Sequence, residues 1–329
     1  MRRPAVATVA GIDEAGYGPV LGPLVVSASV FQLADETLAA DMWAALSSAV
    51  CRKPARGGGK VAIADSKKLY PGRSGKSGNG LANLERGVLA MLASGGHRPG
   101  SVRGLLEVVA PHCLESLDEY PWQRDDPKLP RSIGRTEALL AGNALRQAMA
   151  GAGMSLTAMR CEPVFVMQYN RHVAATDNKS IVLMDVTGRL LDWIWRESPP
   201  GLIRIYVDRQ GGRMRYLPFL QRLLPGCGFR IVDETERFSA YRISGADRQC
   251  EICFMTGGED RRLPVALASM TSKYVRELFM EMFNDYWTAR VPDLARTAGY
   301  YTDGRRFYQT ICPEARKLGI GQEMLYRSR

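Results

Sequence analysis

Two apolar runs near the start of the chain are separated by a short polar turn rich in glycine. The first, Val6–Ile12, ends in Asp13 and Glu14, and the second is Pro23–Phe31. Glycine and proline crowd the sequence between them, and both residue types favour turns. The pattern therefore predicts a β-hairpin whose first strand ends in two acids.

Further strands are expected in the second half of the chain. A β-branched run, Ile203–Val207, ends in Asp208, and β-branched residues favour strands. The other predicted strands are Glu162–Met167, Phe229–Asp233, Ala240–Ile243 and Cys250–Met255.

Apolar residues recur at helical spacing in four segments. These are residues 81–92, 137–149 and 178–195, and a long segment that begins at Pro264, where proline is favoured in the first turn of a helix. Alternation of strands and helices predicts an α/β protein with a mixed central β-sheet flanked by helices.

The amino-acid composition indicates what kind of partner the protein binds and in which compartment it works. The 329 residues carry 44 Lys and Arg against 34 Asp and Glu, and the net charge of +10 favours a polyanionic partner. Seven scattered cysteines do not form a disulfide framework, so we expect a reducing cytoplasm. Cys250 and Cys253 have no second cysteine pair and are interpreted as buried strand residues. No apolar run reaches the ~18 residues of a membrane span.

Carboxylates at strand ends are the candidate chemistry. Asp13 and Asp208 each end an apolar strand, and open α/β sheets place their sites at the carboxyl ends of strands. A carboxylate buried there needs a cation, hydrogen bonds or protonation, and oxygen ligands suit Mg²⁺ or Mn²⁺. The alternative is that these acids cap turns or pair with arginines and do not bind a metal.

Several motifs resemble those of type 2 ribonucleases H, the ribonuclease HII/HIII group. The stretch Gly11–Val26 is similar to the first motif of that family, and Asp65-Ser66-Lys67-Lys68-Leu69 is similar to the second. Leu263–Lys273 resembles the family's helix motif. Weaker similarities are Tyr169-Asn170 with Asn178-Lys179, and Gly299-Tyr300-Tyr301-Thr302.

The resemblance implies a ribonuclease H-like fold and a set of four acids that bind two Mg²⁺ or Mn²⁺ ions. By motif position these acids are Asp13, Glu14, Asp208 and Asp260. The fourth position has two alternatives, because Glu259 is adjacent to Asp260 and Asp247 lies on a nearby predicted loop. The substrate-binding residues that the resemblance implies are Gly16, Tyr17, Gly18, Ser66, Lys67, Lys68, Lys179, Ser269 and Lys273.

One position departs from the family pattern. Tyr17 stands where the family has arginine or lysine between the two glycines. A tyrosine can stack on a base or sugar, or bond a 2′-hydroxyl, but it cannot pair with a phosphate as arginine does. The departure puts recognition of the RNA–DNA junction in question.

The resemblance also predicts the domain organisation and the function of the protein. We expect one domain over residues 1–329, insertions of loops and β-hairpins at about 72–160 and 211–256, and a helical segment at about 285–329. The expected protein is a monomeric endonuclease that hydrolyses the RNA strand, or embedded ribonucleotides, of RNA–DNA hybrids to 3′-hydroxyl and 5′-phosphate ends. A related nuclease with a DNA or structure-specific substrate and an inactive nucleic-acid-binding homologue are the alternatives.

Overall fold

A seven-stranded β-sheet forms the centre of the protein. The structure, a computed structural model, describes residues 6–34, 38, 40–54, 59–70 and 80–328. The strands of the sheet are β1 (Val6–Ala15), β2 (Leu24–Ala34), β5 (Met154–Val164), β6 (Gly201–Asp208), β7 (Gly228–Glu234), β8 (Phe238–Ser244) and β9 (Arg248–Met255). Two short strands, β3 (Val50–Cys51) and β4 (Val61–Ala62), form a separate parallel pair.

The sheet is mixed, with strand order β5-β2-β1-β6-β9-β8-β7. β1 and β2 form the predicted antiparallel hairpin, whereas β1 with β6 and β6 with β9 are parallel pairs. Ile12 lies opposite Val207 in the register. Because parallel neighbours end at the same edge, the acids that follow these two residues are brought together.

Helices cover both faces of the sheet. The longer ones are α3 (Gly80–Ser94), α4 (Val102–Val109), α6 (Arg135–Gly151), α7 (Val166–Thr176), α8 (Lys179–Glu197), α11 (Leu263–Thr288) and α12 (Tyr301–Lys317). The shorter ones are α1 (Met42–Ala45), α2 (Ser66–Leu69), α5 (Leu114–Leu117), α9 (Leu217–Leu223), α10 (Gly258–Arg261) and α13 (Gln322–Leu325), with 3-10 turns at Pro111–Cys113 and Pro121–Gln123.

Helix α11 packs directly on β1 and β2, and α8 covers the opposite face. The contact with β1 depends on Gly11, because a Cβ atom there would lie 2.2 Å from the backbone carbon of Pro264. This close approach fixes the helix against the strand that carries Asp13. The mixed sheet flanked by helices confirms the predicted fold class.

One predicted strand was misplaced. Instead of Glu162–Met167, the strand is β5, which ends at Val164, and α7 begins at Val166. The apolar residues run on across the boundary between strand and helix, so the sequence pattern does not mark it. The earlier part of β5 lies at the sheet edge, where apolar and polar residues are mixed and it has no continuous apolar run.

The expected insertions contain regular structure. Residues 72–79 lie outside the described residues, and the rest of the first segment includes α3, α6 and most of β5. The second segment contains β7, β8 and β9, of which β9 pairs with β6 along its whole length. Both segments therefore supply strands to the central sheet, and the division into core and insertions stays a prediction.

Helices α12 and α13 follow α11, in the segment expected to be helical. Within the described ranges, no helix is long and apolar enough to cross a membrane. Cys250 and Cys253 are buried in β9, and all seven cysteines are free.

Candidate active site

Four carboxylates meet at one edge of the sheet. Asp13 and Glu14 lie near the end of β1, Asp208 is the last residue of β6, and Glu259 lies in α10, which follows β9. The parallel pairing of the three strands places their carboxyl ends side by side. Asp13 and Asp208 therefore lie at or near the ends of neighbouring strands, as the sequence pattern predicts.

Burial raises the pKa of all four acids, and neighbouring carboxylate charges raise it further for Asp13, Glu14 and Glu259. Burial, together with the charges of Glu14 and Asp208, raises the pKa of Asp13 well above its usual value. Burial and the charge of Asp208 raise the pKa of Glu14 to about 7 and that of Glu259 to about 7. Burial also raises the pKa of Asp208. Such a cluster of buried like charges favours the binding of a cation.

Hydroxyl groups and a backbone amide hold the acids in place. Ser269 on α11 hydrogen-bonds the Asp13 carboxyl and lies 3.0 Å from the Ser66 hydroxyl, oxygen to oxygen. Ser272, one turn further along α11, donates to the Asp13 carbonyl oxygen at 2.9 Å. The amide of Gly258 donates to Asp208 Oδ1 at 3.1 Å. The two motif serines therefore join α2 and α11 behind Asp13.

The neighbouring acids Glu259 and Asp260 point in different directions. Glu259 is partly buried, and its carboxyl group shares a hydrogen bond with that of Asp208. Asp260 is exposed and pairs with Lys68. The third alternative, Asp247, is exposed, pairs with Arg248 and precedes β9, so it lies at the opposite end of that strand from Glu259. The structure brings Glu259, rather than Asp260 or Asp247, to the other three acids.

Lysines of the second motif border the cluster. Asp65 caps α2 by accepting a hydrogen bond from the Lys67 amide at 2.9 Å. The partial burial of Lys67 acts to lower its pKa, but the charges of Asp65, Glu259, Asp13 and Asp208 outweigh it and raise the pKa. Lys67 is therefore a cation beside the four acids, and Lys68 is engaged by Asp260.

The glycine loop, residues 15–23, is held from behind by two buried arginines. Gly16 has a φ of +88°, a left-handed conformation that glycine adopts readily. Arg327 donates to the carbonyl oxygens of Gly16, Pro19 and Gly22. Arg276 donates to the carbonyl oxygen of Leu21 at 3.4 Å. The carbonyl of Gly299, in the weak C-terminal motif, accepts the amides of Val20 and Leu21 at 2.8 and 3.2 Å.

Tyr17 is only partly buried and lies beside Lys179. The Lys179 Nζ is 5.5 Å from the centre of the Tyr17 ring, within cation–π range. Lys179 is the first residue of α8, which is capped by Asn178. The loop and the start of α8 thus present an aromatic ring and a cation next to the acids, while Gly18 faces open space.

Lys273 has a different environment from the other motif lysines. Its Nζ lies 2.8 Å from Glu277 Oε1, and Arg276 and Tyr70 contact the same buried carboxylate. The side chain of Lys273 is only 16% exposed. Lys273 is therefore part of a buried ion-pair network on α11.

No sequence motif marks Arg276 or Arg327 as a site residue. Both lie far from the glycine loop in sequence, and only the folded chain brings their guanidinium groups under it. Glu259 was present as an alternative, because it is adjacent to Asp260.

The donor atoms of the cluster suit a divalent metal. Carboxylate oxygens are the ligands that Mg²⁺ and Mn²⁺ prefer, and Glu259 has a buried one, Oε2, beside Asp208. In the part of the chain that the structure describes, no three His, Cys, Asp or Glu side chains form a ready-made metal group. The four acids therefore fit a divalent metal ion in the type of their donor atoms and in their charge.

No protein-family model matches the chain, and no curated protein matches it in sequence. Solved structures do match. Ribonuclease HII of Archaeoglobus fulgidus, in a complex with PCNA, aligns over 98% of this chain and 94% of its own at 16% identity and a TM-score of 0.40. Ribonuclease H2 of Pyrococcus horikoshii aligns over 97% and 92% at 15% identity and a TM-score of 0.43.

A third matching structure, Aquifex aeolicus ribonuclease H3, aligns over 97% of this chain and 71% of its own at 14% identity and a TM-score of 0.44. All three structures belong to the ribonuclease HII/HIII group that the sequence motifs resemble.

Proposed function

We propose that this protein is a metal-dependent endonuclease that hydrolyses the RNA strand, or embedded ribonucleotides, of RNA–DNA hybrid duplexes. The products are 3′-hydroxyl and 5′-phosphate ends. The observation that carries the proposal is the convergence of Asp13, Glu14, Asp208 and Glu259 at one sheet edge, beside Lys67. The expected substrate is inferred from the resemblance of the motifs to those of type 2 ribonucleases H.

The four acids would hold two divalent ions, Mg²⁺ or Mn²⁺, which when bound activate water and stabilise the leaving 3′-oxygen. The chain's own groups orient these ligands. Ser269 and Ser272 fix the side chain and the carbonyl of Asp13, and the Gly258 amide fixes Asp208. Lys67 lies where it can hold a phosphate oxygen, and its charge partly offsets that of the acids.

The neighbouring loop would recognise the sugar and base. The partly exposed Tyr17 ring can stack on a nucleotide, and Lys179 beside it can contact a phosphate. Gly18 leaves space for the backbone of a substrate to approach, since nothing lies within 4 Å of a Cβ atom at that position.

A second candidate follows from the same tyrosine. Because Tyr17 lacks the charge that the family has between its glycines, a ribonuclease H-like nuclease with a DNA or structure-specific substrate is the alternative. An inactive nucleic-acid-binding protein is disfavoured by the retained acids, since a pure phosphate binder would gain by losing them.

Three labelled duplexes distinguish these functions: one with a single embedded ribonucleotide, one with a ribonucleotide stretch, and one of DNA alone. Each is incubated with Mg²⁺ or Mn²⁺. The proposal predicts cleavage of the ribonucleotide-containing duplexes and its loss in Asp208→Asn. Cleavage of the DNA duplex at an equal rate would support the second candidate, and tight binding without cleavage of any duplex would support the inactive binder.

The proposed compartment is the cytoplasm, on the argument from the odd number of scattered cysteines. We propose a monomer, which size-exclusion chromatography with light scattering tests directly.

A further inference from the structure

A polar cavity lies apart from the cluster of four acids. It has a volume of about 470 Å³ and is formed by the edge strand β5, the helices α7 and α8 and the 3-10 turn at Pro111–Cys113. Its polar lining includes His112, Arg160, Glu162, His172 and Arg189. The proposed reaction uses none of these residues.

The centre of this cavity is one buried carboxylate surrounded by bases. Glu162 is 4% exposed, and its oxygens lie 3.1 Å from His112 Nε2, 3.1 Å from Arg160 Nε and 3.2 Å from Arg189 Nε. Burial acts to raise the pKa of Glu162, but the hydrogen bond and charge of His112 and the two arginine charges outweigh it and lower the pKa. The two guanidinium groups therefore face one ionised carboxylate, which leaves an excess of positive charge.

The terminal Nη groups of Arg160 and Arg189 are available to bind a ligand. Both contact Glu162 through Nε, and within the described residues their terminal Nη groups have no hydrogen-bond acceptor. The Arg160 and Arg189 side chains are 32% and 48% exposed, so these donors are reachable. Arg160 also lies over the Trp193 ring, 5.2 Å from its centre, which restricts the orientation of its guanidinium plane. Fixed pairs of arginine N–H donors match the oxygens of a phosphate.

The cavity is next to the proposed reaction centre. Glu14 is opposite Val26, and Val26 is opposite Glu162, so these residues share one face of the sheet. Two strand spacings separate Glu14 from Glu162, about 10 Å. One strand of a duplex advances by about 3.4 Å per nucleotide, so this separation corresponds to a few nucleotides.

Helix α8 reaches both regions, and on the face that runs from Lys179 to Arg189 the residues between these two are buried in the core. Lys179, beside Tyr17, begins the helix, and Val182, Val186 and Arg189 follow at intervals of three and four residues. Residues at this spacing lie on the same side of a helix. The last three line the cavity.

We propose that the cavity around Glu162 is a phosphate-binding subsite, in which Arg160 and Arg189 hold a backbone phosphate of the nucleic acid a few nucleotides from the reacting one. The choice of nucleic acid as the source of this phosphate rests on the proposed function. A free phosphate has the same chemistry and is the other source to be tested.

Binding is measured without cleavage, by fluorescence anisotropy of a labelled RNA–DNA hybrid in EDTA at several salt concentrations. Each lost phosphate contact lowers the slope of log affinity against log salt by about 0.9, which is about eightfold in affinity over one decade of salt. Arg189→Gln is therefore expected to weaken binding about five- to tenfold at 0.1 M salt, with this loss of slope. Glu162→Gln is expected to strengthen binding, because it leaves both guanidinium groups uncompensated.

Arg196→Gln is the matched control. Arg196 lies on the same helix, is 72% exposed and pairs with Asp192 outside the cavity. It is expected to change affinity by less than about twofold, because exposed charges away from the contact are screened. The opposite directions expected for Arg189→Gln and Glu162→Gln separate an effect on binding from a general loss of stability.

Inorganic phosphate is titrated into the same four proteins by calorimetry. If Arg189→Gln abolishes phosphate binding but leaves the affinity and salt slope for the hybrid unchanged, the source is a free phosphate and the nucleic-acid assignment is wrong. If both cavity variants match Arg196→Gln in both titrations, the subsite is overturned. A protein that cleaves no duplex but shows the expected binding pattern contradicts the proposed activity and leaves the subsite standing.

Discussion

Glu259 and Asp260 are chain neighbours with opposite surroundings. Glu259 has a buried carboxylate oxygen beside Asp208, whereas Asp260 reaches outward to Lys68. The difference arises because successive side chains of a short helix point in different directions. At the scale of single residues, this rotation decides which carboxylate can serve as the fourth ligand.

Substitution of the two acids tests the assignment. Glu259→Gln is expected to reduce cleavage by more than about 100-fold, beyond the 10- to 100-fold typical of residues that only support a ligand. Without metal it is expected to raise the melting temperature, because it removes one charge from a repelling cluster. Asp260→Asn breaks only an exposed ion pair and is expected to leave cleavage within about fivefold. The reverse pattern in a cleavage assay would assign Asp260 as the ligand.

The two glycines that flank Tyr17 have unequal requirements. A Cβ atom at Gly16 would lie 2.5 Å from Arg276 Nε and 2.7 Å from the Pro23 carbonyl oxygen, at a φ of +88°. Gly16→Ala is expected to lower the free energy of unfolding by about 2–4 kcal/mol, from strain and steric overlap. Gly18→Ala meets open space and is expected to change it by less than about 0.5 kcal/mol. Urea unfolding compares the two variants, and equal losses would contradict the described loop.

At the scale of elements, the glycine loop depends on segments remote in sequence. Arg327 is 2% exposed and lies 4.9 Å from the centre of the Tyr169 ring while it donates to the loop carbonyls. Burial and the nearby Arg276 lower the pKa of Arg327 to about 9, a value that still leaves it charged at neutral pH. The loop is therefore held by hydrogen bonds to a buried cation.

Arg327→Met tests this support. The change leaves carbonyl oxygens of the loop without a donor, and each unsatisfied buried group costs about 1–3 kcal/mol. We expect unfolding at lower urea concentration and faster amide hydrogen exchange in residues 15–23. Arg327→Lys, which keeps the charge with fewer directed donors, is expected to restore part of the loss. Unchanged exchange in the loop would show that Arg276 and Gly299 hold it without Arg327.

At the scale of the whole molecule, the sheet gathers like charges that are unfavourable in the protein alone. Four acids with raised pKa values lie at its edge, although the chain as a whole carries a net charge of +10. The surrounding positive charge attracts a polyanion, and the local negative charge requires a cation.

Binding of a divalent ion is expected to stabilise the entire fold. A ligand at 100 times its Kd contributes about 2.7 kcal/mol, which corresponds to a rise of several degrees in melting temperature for a protein of this size. Addition of Mg²⁺ or Mn²⁺ should raise the melting temperature of the wild-type protein and have little effect on Asp208→Asn. Differential scanning fluorimetry measures the shift, and equal shifts in both proteins would exclude the acid cluster as the binding site.

The sequence by itself determined most strands and helices, because their periodicity is local. It also placed Asp13 and Asp208 at strand ends, since each follows a run of mostly apolar residues. Its error at β5 has the same origin, because the apolar run that it followed continues from the end of β5 into α7.

Only the tertiary structure decided the contacts between distant segments. Three such contacts join residues on different elements. They are the approach of Glu259 to Asp208, the support of the glycine loop by Arg327 and the pairing of Arg189 with Glu162. Such contacts depend on how helices pack and rotate against the sheet. Local sequence patterns do not encode that geometry, which is why the acids could be predicted but their final arrangement could not.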